Sequence, residues 1–138
     1  MLKTKLGKLT LFFSILVILA VVIIESVILY NNYLFSDKYA KRINNAYNSG
    51  DPFTYNELMV KYGTPYSKEI TGDPSNASGY VEWYKGFAEG DEKEIVKAYR
   101  AQEDIKTMYV EFLDGKAVLA EFHVLNILTD KEIADESK

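Results

Sequence analysis

Apolar and polar residues follow three different patterns along this chain. From Leu9 to Leu29 (LTLFFSILVILAVVIIESVIL) the 21 residues are apolar with one ionisable exception, Glu25. As a helix rising about 1.5 Å per residue this run is roughly 31 Å long, the thickness of a bilayer's hydrocarbon core. Between Ser36 and Asn48 the pattern becomes helical: Tyr39, Ile43, Ala46 and Tyr47 share one side, with lysine and arginine on the other. Ser36 or Asp37 can cap that helix and Gly50 can end it. It either runs on from the apolar segment or breaks at Asn31 and Asn32.

A second short helix is predicted over Tyr55 to Tyr62, with Leu58, Met59 and Tyr62 on one face. Thr54-Tyr55-Asn56-Glu57 has the S/T-x-x-E form of a capping box, Gly63 favours the stop, and Pro65 prevents continuation. The pattern then changes to alternation. Ser67 to Thr71 reads as a weak strand closed by the turn-rich run Gly72 to Gly79. Tyr80 to Phe87 alternates, with Val81, Trp83 and Phe87 on one face and Tyr80, Glu82 and Tyr84 on the other. Ala88 to Asp104 interrupts the strands; Asp91 can cap a helix there, with Ile95, Val96 and Tyr99 as its apolar stripe.

Ile105 to Leu113 and Lys116 to Leu125 form a hairpin around Asp114-Gly115. A two-residue turn would set Met108, Val110 and Phe112 on the same face as Ala117, Leu119 and Glu121. A three-residue loop, Leu113-Asp114-Gly115, pairs Phe112 with Lys116 and Val110 with Val118. Met108, Val110 and Phe112 then share a face with Val118, Ala120 and Phe122. Apolar burial at roughly 25 cal/mol per Å2 favours the three-residue loop. Under either turn the expected fold class is α+β: one apolar N-terminal helix, then one or two helices packed on a small antiparallel sheet. The segments expected are 1–35 (cytoplasmic stub and transmembrane anchor), 36–50 (juxtamembrane helix), 51–125 (α+β domain) and 126–138 (flexible acidic tail).

Charge divides the chain in the same way. The net charge of −4 averages three lysines at Lys3, Lys5 and Lys8 with a balance of −6 from Ser36 onward, where 13 basic and 19 acidic residues lie. An acidic domain repels phosphate, so no nucleic-acid partner is expected. The lysines predict a cytoplasmic N-terminus and an extracytoplasmic C-terminal domain, with the bilayer contacted through residues 9–29. Tyr30, Tyr33 and Phe35 suit the far membrane–water boundary. A cleaved signal peptide shares these features, but cuts after Ala20 or Ser26 would place Ile18 or Ile24 where small residues are wanted. Glu25 has two readings: a carboxylate reaching the interface, or a polar contact with a second membrane helix.

With no cysteine, disulfides, thiol catalysis, cysteine zinc sites and diacylglyceryl anchoring are excluded. A single histidine, His123, argues against a histidine metal site, and it is expected to sit opposite Ile105. No phosphate-binding glycine loop occurs, so no cofactor is expected. Asn76-Ala77-Ser78 fits the glycosylation sequon, which matters only in a eukaryotic secretory setting.

Phe53 to Pro65, a threonine-opened helix with a G-x-P stop, is followed by Glu82-Trp83-Tyr84 and then by Val110 to Lys116 in the form V-x-F-x-D-G-K. This order resembles the SmpA/OmlA (BamE-like) domains and the related β-lactamase-inhibitor-protein-like modules, from Thr54 to Val124. The resemblance implies helices on one face of a small antiparallel sheet, in a non-enzymatic extracytoplasmic domain that binds proteins or supports envelope assembly. This chain departs from the family in lacking the lipobox cysteine and in the 17-residue segment Ala88 to Asp104.

The sheet face away from the apolar one is expected to carry Tyr80, Glu82, Tyr84, Thr107, Tyr109, Glu111, Leu119, Glu121 and His123. Glu82, Glu111 and Glu121 could in principle do acid–base work, but no nucleophile accompanies them, and a solvated polar face is the expectation. Aromatic side chains rimmed by acids are characteristic of protein-binding surfaces. Tyr80, Glu82, Tyr84, Tyr109, Glu111, Leu119 and Glu121 are therefore the candidate partner-binding residues, with Glu25 the candidate intramembrane contact. The alternative is that the Tyr39–Tyr47 helix or the Ala88–Asp104 segment covers this face. The expected function is a membrane-anchored, non-enzymatic protein-binding module, an accessory or assembly subunit of a membrane protein complex. The alternative function is a tethered or secreted inhibitor or ligand-sensing domain that acts without the span.

Overall fold

A computed structural model of the chain describes residues 2–125, with side chains from Lys5 onward. The tail assigned to 126–138 lies outside the described residues. The chain divides into two compact units, one ending at Tyr33 and one beginning at Leu34.

Helix α1 spans Leu2–Leu34, and its Lys5–Leu34 stretch is long and apolar enough to cross a membrane, as an anchor or as a signal sequence. Three of its hydroxyls are satisfied within the helix. Thr10, Ser14 and Ser26 donate to the carbonyls of Leu6, Thr10 and Val22 at 2.9, 2.9 and 2.8 Å. That arrangement suits a helix in a medium without water. Asn31 and Asn32 do not break it. The break comes at Ser36, which turns to extended backbone (φ −147°) and accepts from the Tyr39 amide through its hydroxyl at 3.2 Å.

The second unit holds α2 (Asp37–Asn48), α3 (Tyr55–Tyr62), α4 (Glu92–Arg100) and four strands, β1 (Ser67–Thr71), β2 (Ser78–Tyr84), β3 (Ile105–Leu113) and β4 (Lys116–Leu125). The strands form an antiparallel meander in chain order, so the fold is α+β as the pattern predicts. The hydrophobic side of α2, Tyr39, Ala40 and Ile43, is buried, and α2 packs on β4. Instead of forming a separate juxtamembrane segment, α2 thus belongs to the folded unit, as do Leu34 and Phe35. Helix α3 starts at Thr54, whose hydroxyl accepts from the Glu57 amide at 3.2 Å, and ends at Gly63 with φ +76°. It buries Tyr55 and Leu58 beside Val81, Trp83, Met108, Val110, Phe112, Ala117 and Ala120 of the sheet. Each large apolar side chain buried this way contributes about 1.5–3 kcal/mol. Trp83 is held on both sides: its ring stacks on Tyr62 at 4.7 Å, and its indole N–H donates to the Gly63 carbonyl at 3.0 Å. The Tyr62 hydroxyl donates in turn to the Leu34 carbonyl at 2.6 Å.

Three expectations need correction. Strand β2 ends at Tyr84, so Phe87 leaves the Trp83 face and packs with Ile95, Ala98 and Ile105 instead. Val96 is 46% exposed, and Ala98 takes its place in the α4 stripe. The hairpin uses a two-residue turn, Asp114 (φ +53°) and Gly115 (φ +78°), with Leu113 opposite Lys116. Both residues are left-handed, and this type of turn matches the twist of the strands. Phe112 faces Ala117, but Glu111 faces Leu119, so Val118 is an extra residue, a β-bulge. Beyond it Val110 pairs with Ala120 and Met108 with Phe122, two residues from the expected alignment. A two-residue displacement keeps the side chains beyond the bulge on their predicted faces. Val118, expected on the apolar face, instead lines a notch beside Tyr80, Tyr109 and Glu111, and the buried Ala117 stands opposite Phe112 in its place.

The outer edge of β4 is partly closed. The Asn44 side chain donates to the Ala120 carbonyl at 2.9 Å and accepts from the Ala120 amide at 2.8 Å, replacing a neighbouring strand. Replacement by alanine, Asn44→Ala, leaves both backbone groups unpaired and is expected to cost about 1–3 kcal/mol. A denaturant melt should show the loss in midpoint with an unchanged slope; an unaltered midpoint would mean that water replaces the amide.

Candidate functional site

Registers across the sheet determine which side chains share the second face. One row runs Glu69, Tyr80, Glu111, Leu119; the next runs Ser67, Glu82, Tyr109, Glu121; a third runs Tyr84, Thr107, His123. All seven candidate residues of the sheet therefore lie on one face. Tyrosine and glutamate alternate along the first two rows, so acids directly opposite one another are avoided. His123 stands opposite Thr107; Ile105 pairs with Leu125. Across the four strands this face carries Glu69, Glu82, Glu111 and Glu121 against one lysine, Lys116, which stands opposite Leu113 at the turn end.

Each tyrosine here is tied to a carboxylate. The Tyr109 hydroxyl donates to Glu111 Oε1 at 2.9 Å. Tyr80 pairs with Glu69 and Tyr84 with Glu82 in the same manner. Burial, then the hydrogen bond and negative charge of Glu111, pushes the Tyr109 hydroxyl up to about 12. Burial, then the charge of Glu82, raises that of Tyr84 to about 12 as well. Tyr80 is raised chiefly by the charge of Glu69. Glu82 is itself raised by burial, against the opposing effects of the Tyr84 hydrogen bond and of His123. His123 Nε2 lies 3.1 Å from Glu121 Oε2, with both side chains about half exposed.

The face is divided between two environments. Over one end lies α4, whose Ile95 and Ala98 pack on Ile105 together with Tyr66, Tyr84, Phe87, Tyr99 and Leu125. Tyr84 stacks on Tyr66 at 4.1 Å and 21°, which makes it part of this small second core. The expectation that the Ala88–Asp104 segment covers the face is thus met at that end, while α2 packs against the other side of the sheet. At the other end Tyr80 and Tyr109 stack on each other at 5.5 Å and 30°. Next to them is an open notch of about 470 Å3 lined by residues that include Ser78, Gly79, Phe112, Leu113 and Val118. Sequence reasoning did not include these lining residues. Their signal was the conflict between a D-G turn and the apolar alternation, which only an extra residue at Val118 resolves.

Phenol–carboxylate pairs in this geometry present acceptors and flat aromatic surface to a ligand. Tyr109 separates Glu82 from Glu121 along their row, and Glu111 stands diagonal to both. Among the described residues no three acidic or histidine side chains gather to hold a metal ion. Glu25 lies on the exposed surface of α1. Compared with protein-family models, with curated proteins and with solved structures, the chain matches none.

A phenol raised above its ordinary value near 10 contributes stability that is complete below that pH and is lost as pH rises through the folded-state value. Stability is therefore expected to hold up to about pH 10 and to fall between about 10 and about 12 as Tyr84 and Tyr109 ionise. Thermal melts across that range check this, and Tyr109→Phe should lessen the slope. A flat profile would show that neither phenol is perturbed.

Proposed function

We propose that this chain is a single-pass membrane protein, with its N-terminus in the cytoplasm, whose folded unit outside the cytoplasm binds another protein. It would act as an accessory or assembly subunit of a membrane protein complex. The observation that carries this reading is the uncovered end of the second sheet face. There Tyr80, Tyr109 and Glu111 line a notch, Leu119 and Glu121 stand opposite Glu111 and Tyr109 on β4, and α4 packs at the other end of the face. Hydrogen bonds hold the tyrosines in place, which lowers the ordering cost of binding. Aromatic side chains in such a setting are frequent interface hot spots. A face with four glutamates against the single Lys116 suits a partner surface rich in lysine or arginine. The lysines before α1 support the proposed orientation. Two helices followed by an antiparallel meander also agree with the SmpA/OmlA-like resemblance, which remains part of this proposal.

The folded unit from Leu34 onward has its own core, and this favours a second reading in which it acts without the span, as a tethered inhibitor or ligand sensor. Replacing residues 1–33 by an unrelated anchor separates the two readings: retained function supports the second.

Tyr80→Ala and Leu119→Glu are the informative substitutions, because Tyr84→Ala would also open the α4 core. Each is expected to lower recovery of crosslinked partner from intact membranes at least about tenfold, the loss typical of a hot spot, with the melting temperature unchanged. Undiminished recovery with both variants would remove the sheet face as the binding site.

A further inference from the structure

Because α1 is one continuous helix, its residues can be placed by angle. At 100° per residue Gly7, Thr10, Ser14, Glu25 and Asn32 fall within an arc of about 60°. Of the four polar residues in the Leu9–Leu29 run, only Ser26 lies off this line. Val17, Val21 and Ile28 continue the stripe between them, while the leucines and phenylalanines are spread over the remaining surface. A carboxylate that served only to reach the interface would have no reason to align with hydroxyls about three to four turns away, toward the opposite end of the run. Small and hydroxyl-bearing side chains on one line allow close approach of another helix in lipid.

Within the stripe the donors are already used. Thr10 and Ser14 donate to their own helix, and Glu25 has no hydrogen bond or ion pair among the described residues. A carboxylate at such a position calls for a partner. A second copy is a poor one, since it would set Glu25 against Glu25 at the same depth and offers no spare hydroxyl there. Complementarity of charge requires a basic side chain instead.

We propose that the Gly7–Thr10–Ser14–Glu25 stripe of α1 packs against a transmembrane helix of a different protein, which presents a lysine or arginine to Glu25. This rests on the reading of α1 as a span and is independent of the sheet face.

The test uses the full chain, fluorescently labelled, in phosphatidylcholine vesicles. Two acceptor-labelled probes are added: a leucine-rich transmembrane peptide with one lysine four residues from its end, and the same peptide without lysine. Energy transfer is expected to show the lysine peptide binding roughly tenfold more tightly, as expected for one polar contact between membrane helices. Glu25→Leu should abolish the difference. Moving the carboxylate across the helix in the double variant Ile23→Glu/Glu25→Leu, at nearly the same depth, should weaken binding at least about threefold, because the small side chains then face away. Equal binding of the two peptides, no effect of Glu25→Leu, or full binding by the double variant would each overturn the proposal. Transfer between copies of the chain that displaces the lysine peptide would replace it with a homodimer. An alkaline carbonate wash separates the two levels. A chain that washes off overturns the span itself, whereas an inserted chain that does not discriminate overturns only this contact.

Discussion

The domain depends on how one hairpin reconciles two demands that differ by a single residue. Asp114 and Gly115 form a tight left-handed turn, and Gly115 fits it twice over: its φ is +78°, and a Cβ would collide with the Ser75 carbonyl. Regular pairing from that turn would drive Leu119 and Glu121 into the core. The apolar residues of β3 require Ala120 and Phe122 there instead. Bulging at Val118 satisfies both, because an extra residue on one strand exchanges the faces of everything beyond it. Burial of Ala120 beneath α2, the amide bridge from Asn44, and the position of Leu119 on the outer face all follow from this adjustment.

The same bulge helps to create the candidate site. Val118 lines the notch that opens beside the Tyr80–Tyr109 stack, next to residues of the turn-proximal ends of β2 and β3. At the opposite end of the face, α4 turns Tyr84, Ile105 and Leu125 into a small second core. The sheet is thus filled on one side, half covered on the other, and left with an aromatic and acidic strip where registers alternate phenol with carboxylate. The surface is acidic, with four glutamates against the single Lys116.

Polar residues have different roles in the two units. In the folded unit tyrosine hydroxyls orient carboxylates at the surface, where water screens their charge. Within α1 the hydroxyls of Thr10 and Ser14 turn back on the helix, and Glu25 has no partner among the described residues. An apolar environment makes such a group costly to leave unpartnered, so in the proposed span one carboxylate carries more information about partners than several on the sheet.

Much of this was readable from residue order, because the signals were local. The capping box at Thr54, the stop at Gly63, the β1 limits and the alternation of β2 and β3 depend on neighbours a few residues apart, and the structure keeps them. So does membership of the outer face, since alternation determines it even when the turn is misjudged. Other features depended on residues distant in sequence. Tyr84 reads as outward until α4 folds over it, and Val96 reads as buried until Ala98 is found closer to Ile105. Asn44 looks like an ordinary polar helix residue until Ala120, 76 positions away, needs a partner. Periodicity reports which side of an element is apolar. Only packing decides what comes to lie on that side, because burial is a property of pairs of surfaces.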